Sequence, residues 1–193
     1  MNPLPPARVF SYRIDQHDRI ISCNDDWFAF ARENDGSHLT QATVCSRPIW
    51  SFISDPETRH LYQLILSRVR SGQTIAVRMR CDSPTARRAI KLHMTPLPDG
   101  GVEFNSCIKY EEERTYVALL DSTRERSFDV VSICSWCKKV QVPGEGWFEV
   151  EEALMRLGLT SETNLPQLAN VVCYDCYRDI IHHMNTVEGH QRG

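Results

Sequence analysis

A chain of 193 residues that is 41% hydrophobic and 24% charged, with net charge −3, has the composition of a globular protein. It carries no low-complexity tract or internal repeat, and no run approaches the ~20 apolar residues needed to span a bilayer. The charge is uneven: residues 1–110 hold 14 basic and 11 acidic residues, residues 111–193 hold 8 and 14, and that acidic balance argues against phosphate-backbone binding by the C-terminal half.

The opening Met1-Asn2-Pro3-Leu4-Pro5-Pro6 has no apolar segment behind it, so a signal peptide is not expected and the chain reads as cytoplasmic. In a reducing compartment its eight cysteines are ligands or small buried apolar residues rather than disulfides. Residues 1–8 form a proline-rich lead. Val9 to Ile14 alternates apolar and polar as a half-buried strand does, and after the polar turn Asp15-Gln16-His17-Asp18 residues 19–23 complete a hairpin. Asn24-Asp25-Asp26 supplies helix-capping chemistry. Trp27, Phe30 and Ala31 then share one helical face, and Asp35-Gly36 ends that helix.

Residues 37–54 read as short turns around Pro48, Ile49, Trp50, Phe52 and Ile53. Asp55-Pro56-Glu57-Thr58 is a helix start, with Asp as cap and Pro in the first turn. Leu61, Leu64, Ile65 and Val69 form one stripe, and Gly72 closes the helix. Three strands follow, with Ile75, Val77 and Met79, then Ile90, Leu92 and Met94, then Val102, Phe104, Ser106 and Ile108 on their inner sides. One apolar face per strand predicts an antiparallel sheet covered on one side. Arg78, Arg80, Arg87 and Arg88 form a basic cluster, expected as a solvated face, with docking of an acidic partner, including the acidic half of this chain or a second copy, as the other reading.

Strand, strand, helices and three strands in about 100 residues resemble a PAS domain. The resemblance rests on Asn24-x-x-Trp27-x-x-Phe30-Ala31, on Arg47-Pro48-Ile49-Trp50-x-Phe52-Ile53 and on the final hairpin. It implies an α+β sensor domain over 9–110, a five-stranded antiparallel sheet with helices on one face. It also implies a pocket whose candidate lining residues are Trp27, Trp50 and Tyr62, for a ligand the sequence does not name. These residues serve equally as core. Flavin photoreceptors of this family carry an Asn-Cys-Arg-Phe-Leu stretch. Here Ile49 takes the cysteine position and Cys45 lies too early, so that chemistry is not expected. For haem, His60 is the one candidate ligand, and its place beside the apolar stripe reads as an edge position.

Glu111-Glu112-Glu113-Arg114 is a charged break, and 111–131 is read as a connector. Two C-x2-C knuckles follow: Cys134-Ser135-Trp136-Cys137 and Cys173-Tyr174-Asp175-Cys176. Four thiolates complete one tetrahedral zinc shell with no open position, so Cys134, Cys137, Cys173 and Cys176 are predicted to hold one structural zinc ion. Rubredoxin-like iron is the rival metal. His182 and His183 could replace a cysteine but read as solvated. Cys23, Cys45, Cys81 and Cys107 show no ligand spacing. Between the knuckles, residues 138–142 read as strand, 149–157 as an amphipathic helix and 160–170 as polar loop, with a helix over 177–184 after the second knuckle.

Residues 132–185 thus resemble the small cysteine-knuckle module appended to bacterial sensory and regulatory proteins. They depart from its pattern at Asn170-Val171-Val172 and at Tyr174, where His-Gly and proline are usual. No phosphate loop, dinucleotide motif or nucleophile elbow is present. The expectation is a non-enzymatic sensor or adaptor that acts through a protein partner and pairs through its PAS-like domain. The alternatives are a zinc-ribbon nucleic-acid regulator and a thiol sensor that releases zinc on oxidation.

Overall fold

The structure, a computed structural model, describes residues 8–159 and 164–187. The proline-rich lead other than Arg8, and residues 160–163 of the predicted loop, lie outside the described residues. The first hairpin pairs β1 (Val9–Ile14) with β2 (Ile20–Cys23), Tyr12 standing opposite Cys23. α1 (Asp25–Glu33) starts where the Asn24 side chain accepts the Trp27 amide at 2.9 Å. This places Phe30 against Phe10 of β1, ring centroids 4.6 Å apart. The short α2 (Gln41–Val44) and a 3-10 turn at Ile49–Ser51 precede the long α3 (Pro56–Arg70). Asp55 caps α3, its carboxylate accepting the Thr58 amide at 2.7 Å.

β3 (Ile75–Arg80), β4 (Ala86–Pro96) and β5 (Val102–Glu113) complete a five-stranded sheet ordered β2-β1-β5-β4-β3. β1 pairs antiparallel with both its neighbours. Ile75, Val77, Ile90, Leu92, Met94, Val102 and Phe104 are buried on one face, and α3 turns Ile65, Leu66 and Val69 inward. This is the antiparallel sheet covered on one side that the alternation predicts, in the α+β arrangement that the resemblance implies. β5 is longer than expected and runs through Glu111–Glu113. The three carboxylates stay exposed while the backbone keeps strand geometry, so charge did not mark the strand's end.

A second, four-stranded sheet is ordered β8-β7-β6-β9. Its strands are β6 (Arg126–Cys134), β7 (Val140–Val142), β8 (Gly146–Phe148) and β9 (Leu165–Val171). α4 (Val150–Arg156) precedes β9 and α5 (Tyr174–Val187) follows it. β9 corrects the polar-loop expectation for 160–170. It runs parallel to β6, from Arg126 opposite Leu165 to Cys134 opposite Val171. A parallel partner some 40 residues upstream leaves no local signature, and Pro166, Gln167 and Asn170 obscure the apolar pattern.

By contacts the chain groups into two units. The first comprises residues up to Ser54 with Tyr62–Arg78 and Ala89–Tyr110; the second comprises Asp55–Leu61, Met79–Arg88 and the residues from Glu111 onward. The second has its own core of Val117, Leu119, Ile133, Val140, Val142, Val150 and Ala153. Burying each such valine or leucine contributes about 1.5–3 kcal/mol. Val117 and Leu119 come from the stretch read as a connector.

Candidate metal centre

The first knuckle follows directly from β6. The Cys134 amide donates to the Lys139 carbonyl at 2.8 Å and the Lys138 amide to the Cys134 carbonyl at 2.9 Å. Lys138 takes φ +61°, the left-handed conformation that lets the chain reverse tightly. The second knuckle begins where β9 ends. Cys173 precedes α5 and Cys176 lies in its first turn. Parallel pairing of β6 and β9 brings the two strand ends, and therefore both knuckles, to the same place.

The four sulfur atoms all lie within 4.8 Å of one another, and Cys137 Sγ stands 3.8 Å from Cys173 Sγ. Metal–sulfur bonds of about 2.3 Å in a tetrahedron put sulfurs roughly 3.8 Å apart, whereas a disulfide needs about 2.05 Å. Backbone amides of Cys137 and Cys173 both point at Cys134 Sγ, at 3.5 and 3.4 Å. Cys134 and Cys173 are buried, and Cys137 and Cys176 half-buried.

Hydrogen bonds from the Cys137 and Cys176 thiols push Cys134 well below the ordinary thiol range. Hydrogen bonding to Cys134 pushes Cys137 up to about 12 and Cys176 far above its ordinary value. Cysteine ligates a metal as thiolate, so an ion bound by these sulfurs would take the place of their protons. The four cysteines are close enough to hold one. His182 and His183 are exposed on α5, away from this group.

Segments distant in sequence hold the knuckles. Thr58 Oγ1 donates to Ser135 Oγ at 2.7 Å, and Ser135 Oγ donates to the Val171 carbonyl at 3.1 Å. The Val172 amide donates to Glu57 Oε2 at 3.0 Å, and the Arg80 amide to the Trp136 carbonyl at 2.8 Å. Sequence reading recognised Glu57 and Thr58 only as a helix start, because no local pattern marks a docking partner 77 or 115 positions away.

The basic cluster is not the solvated face expected. Arg80 pairs with Glu149 at 2.6 Å and with Asp82, Arg87 with Glu151 at 3.3 Å, and Arg88 with Glu111 at 2.9 Å. Arg78 is exposed on β3. For Arg80, Arg87 and Arg88, the reading in which acidic residues of the same chain meet the cluster is the one observed.

The three candidate pocket residues occupy different surroundings. Trp27 is half-buried on α1, edge-on to Phe28 at 5.3 Å. Tyr62 is buried on α3, and burial pushes its hydroxyl up to about 12. Trp50 donates its indole N–H to Asp18 at 2.9 Å, and Arg70 meets the same carboxylate at 2.7 Å. These three line a groove of about 340 Å³ with Gln63, Leu66 and Ser67, apart from Trp27 and Tyr62. Tyr12 stacks on Phe104 at 4.3 Å and faces Cys23, whose thiol burial also pushes up to about 12. His60 is exposed and lines a groove of about 530 Å³ with Pro56, Glu57, Val172, Tyr174 and Tyr177.

No family model matches the sequence, and no curated protein matches it. Among solved structures, the PAS domain of an HTR-like protein from Haloarcula marismortui is similar at 15% identity. That match covers 56% of this chain and 89% of the other, with a TM-score of 0.30. The Rhodobacter sphaeroides LOV protein is similar at 13% identity over 97% of this chain and 93% of its own, with a TM-score of 0.37. No helix among the described residues is long and apolar enough to cross a membrane.

Proposed function

We propose that the chain is a non-enzymatic cytoplasmic sensor or adaptor. Its PAS-like part responds to a ligand, a redox change or a partner, and its four-cysteine part, holding one structural zinc ion, relays that response through protein contacts. The observation that carries this reading is the convergence of Cys134, Cys137, Cys173 and Cys176 within 4.8 Å. Four sulfurs saturate a tetrahedral ion, which makes the metal a scaffold rather than a Lewis acid with a free position.

Metal analysis and an absorption spectrum of gently purified protein test the reading together. One zinc per chain and no colour is the expected result. A coloured protein with stoichiometric iron replaces zinc by iron, and protein without any bound metal overturns the reading. Pairing through the PAS-like part is checked by light scattering, where a monomer at high micromolar concentration would remove it.

A further inference from the structure

We infer that Glu57 and Thr58, in the first turn of α3, are positioning residues for the cysteine centre and set how firmly it keeps its metal. The inference rests on the reading that the cluster holds a metal ion. Each residue serves a different knuckle. Thr58 is buried and its hydroxyl donates to Ser135, which lies between Cys134 and Cys137. Ser135 in turn ties its own amide and hydroxyl to the Val171 carbonyl, at 2.7 and 3.1 Å. Thr58 therefore anchors a bridge between the first knuckle and the strand leading to the second.

Glu57 acts one peptide away from a sulfur ligand. Its carboxylate accepts the Val172 amide at 3.0 Å, and the next amide, that of Cys173, donates to Cys134 Sγ at 3.4 Å. Fixing the first N–H constrains the backbone that aims the second. A single helical turn thus orients both halves of the ligand set, as hydrogen-bonded partners outside a metal's own ligands commonly do. Linkage makes the effect reciprocal: whatever these two bonds add to metal retention, the metal adds to the order of that turn.

The test uses the full chain loaded with zinc and mixed with excess chromogenic chelator, reading the rate of zinc transfer. Thr58→Val removes a hydroxyl at nearly constant shape, and Thr58→Ser keeps it. Glu57→Ala removes an acceptor, and Glu57→Gln restores an acceptor oxygen. Thr58→Val and Glu57→Ala are expected to start with one zinc per chain and lose it about 10-fold faster or more, with the Ser and Gln variants within about twofold of wild type. In wild type, hydrogen exchange of the amides over 57–61 should accelerate once zinc is removed. Wild-type release rates in both Thr58→Val and Glu57→Ala, each holding one zinc, would overturn the inference while leaving the metal reading intact. A wild-type chain that binds no metal overturns the metal reading itself, and the inference with it. Should Thr58→Val fail to fold, the Glu57 pair decides.

Discussion

Arg114 donates to Asp82 at 3.1 Å, and the Asp82 side chain has no exposed surface while that of Arg114 keeps 5%. The same carboxylate accepts from Arg80 Nε and from the Arg88 amide, both at 3.2 Å. One buried negative charge therefore organises the ends of β3 and β4 and the chain after β5. Removing one member of a buried charge set leaves the others desolvated without a partner. Asp82→Ala should cost about 3 kcal/mol in chemical denaturation, more than truncation of a surface acid such as Glu112. Equal effects of the two substitutions would show that the buried network is not stabilising.

Cys134 differs from the cysteines outside the cluster. It is buried, and two backbone amides converge on its sulfur. Cys134→Ser should abolish stoichiometric metal binding and expose the residues around Ile133 and Val140 to rapid hydrogen exchange. Cys107→Ser, on β5 of the other sheet, should retain one metal per chain. Metal content of the two purified variants decides the matter, and stoichiometric metal in Cys134→Ser would remove this sulfur from the ligand set.

Alkaline pH should weaken the part built on the five-stranded sheet in a defined window. Burial pushes Tyr62 from 10.0, and Cys23 from 9.0, each up to about 12. A folded-state value above the unfolded one means that the folded chain holds the proton more firmly. The contribution is thus complete below about pH 9 and is lost progressively as pH rises to about 12. Unfolding midpoints taken between pH 8 and 12 should fall across that range. A midpoint flat to pH 12 would show that neither group is shielded as its burial implies.

Gly101 sits where β5 meets β1. A Cβ there would lie 2.5 Å from the Ile14 carbonyl oxygen and 2.9 Å from Asp99 Oδ1. The first of these is backbone and cannot swing away. Gly101→Ala should destabilise by about 1–3 kcal/mol. Gly72→Ala meets no atom within 4 Å and tests only the backbone term of a positive φ. Thermal unfolding of the pair separates crowding from conformational strain, and an unchanged midpoint for Gly101→Ala would contradict the close approach.

What sequence alone determined is what depends on neighbours a few positions apart. Asn24 and Asp55 marked two helix starts by capping chemistry. Alternation at Ile90, Leu92 and Met94 marked a half-buried strand, and the spacing within each C-x2-C pair marked the four cysteines that converge. Only the tertiary structure decided that Leu165–Val171 is a strand, since its pairing with β6 is parallel and distant. Only it decided that Arg80 and Arg87 face Glu149 and Glu151 instead of water, and that Glu57 and Thr58 reach the knuckles. Local propensity is set by each residue's own backbone and its nearest turns. A hydrogen bond spanning 115 positions exists only after the chain between its ends has folded, and so leaves no periodic trace in the order of residues.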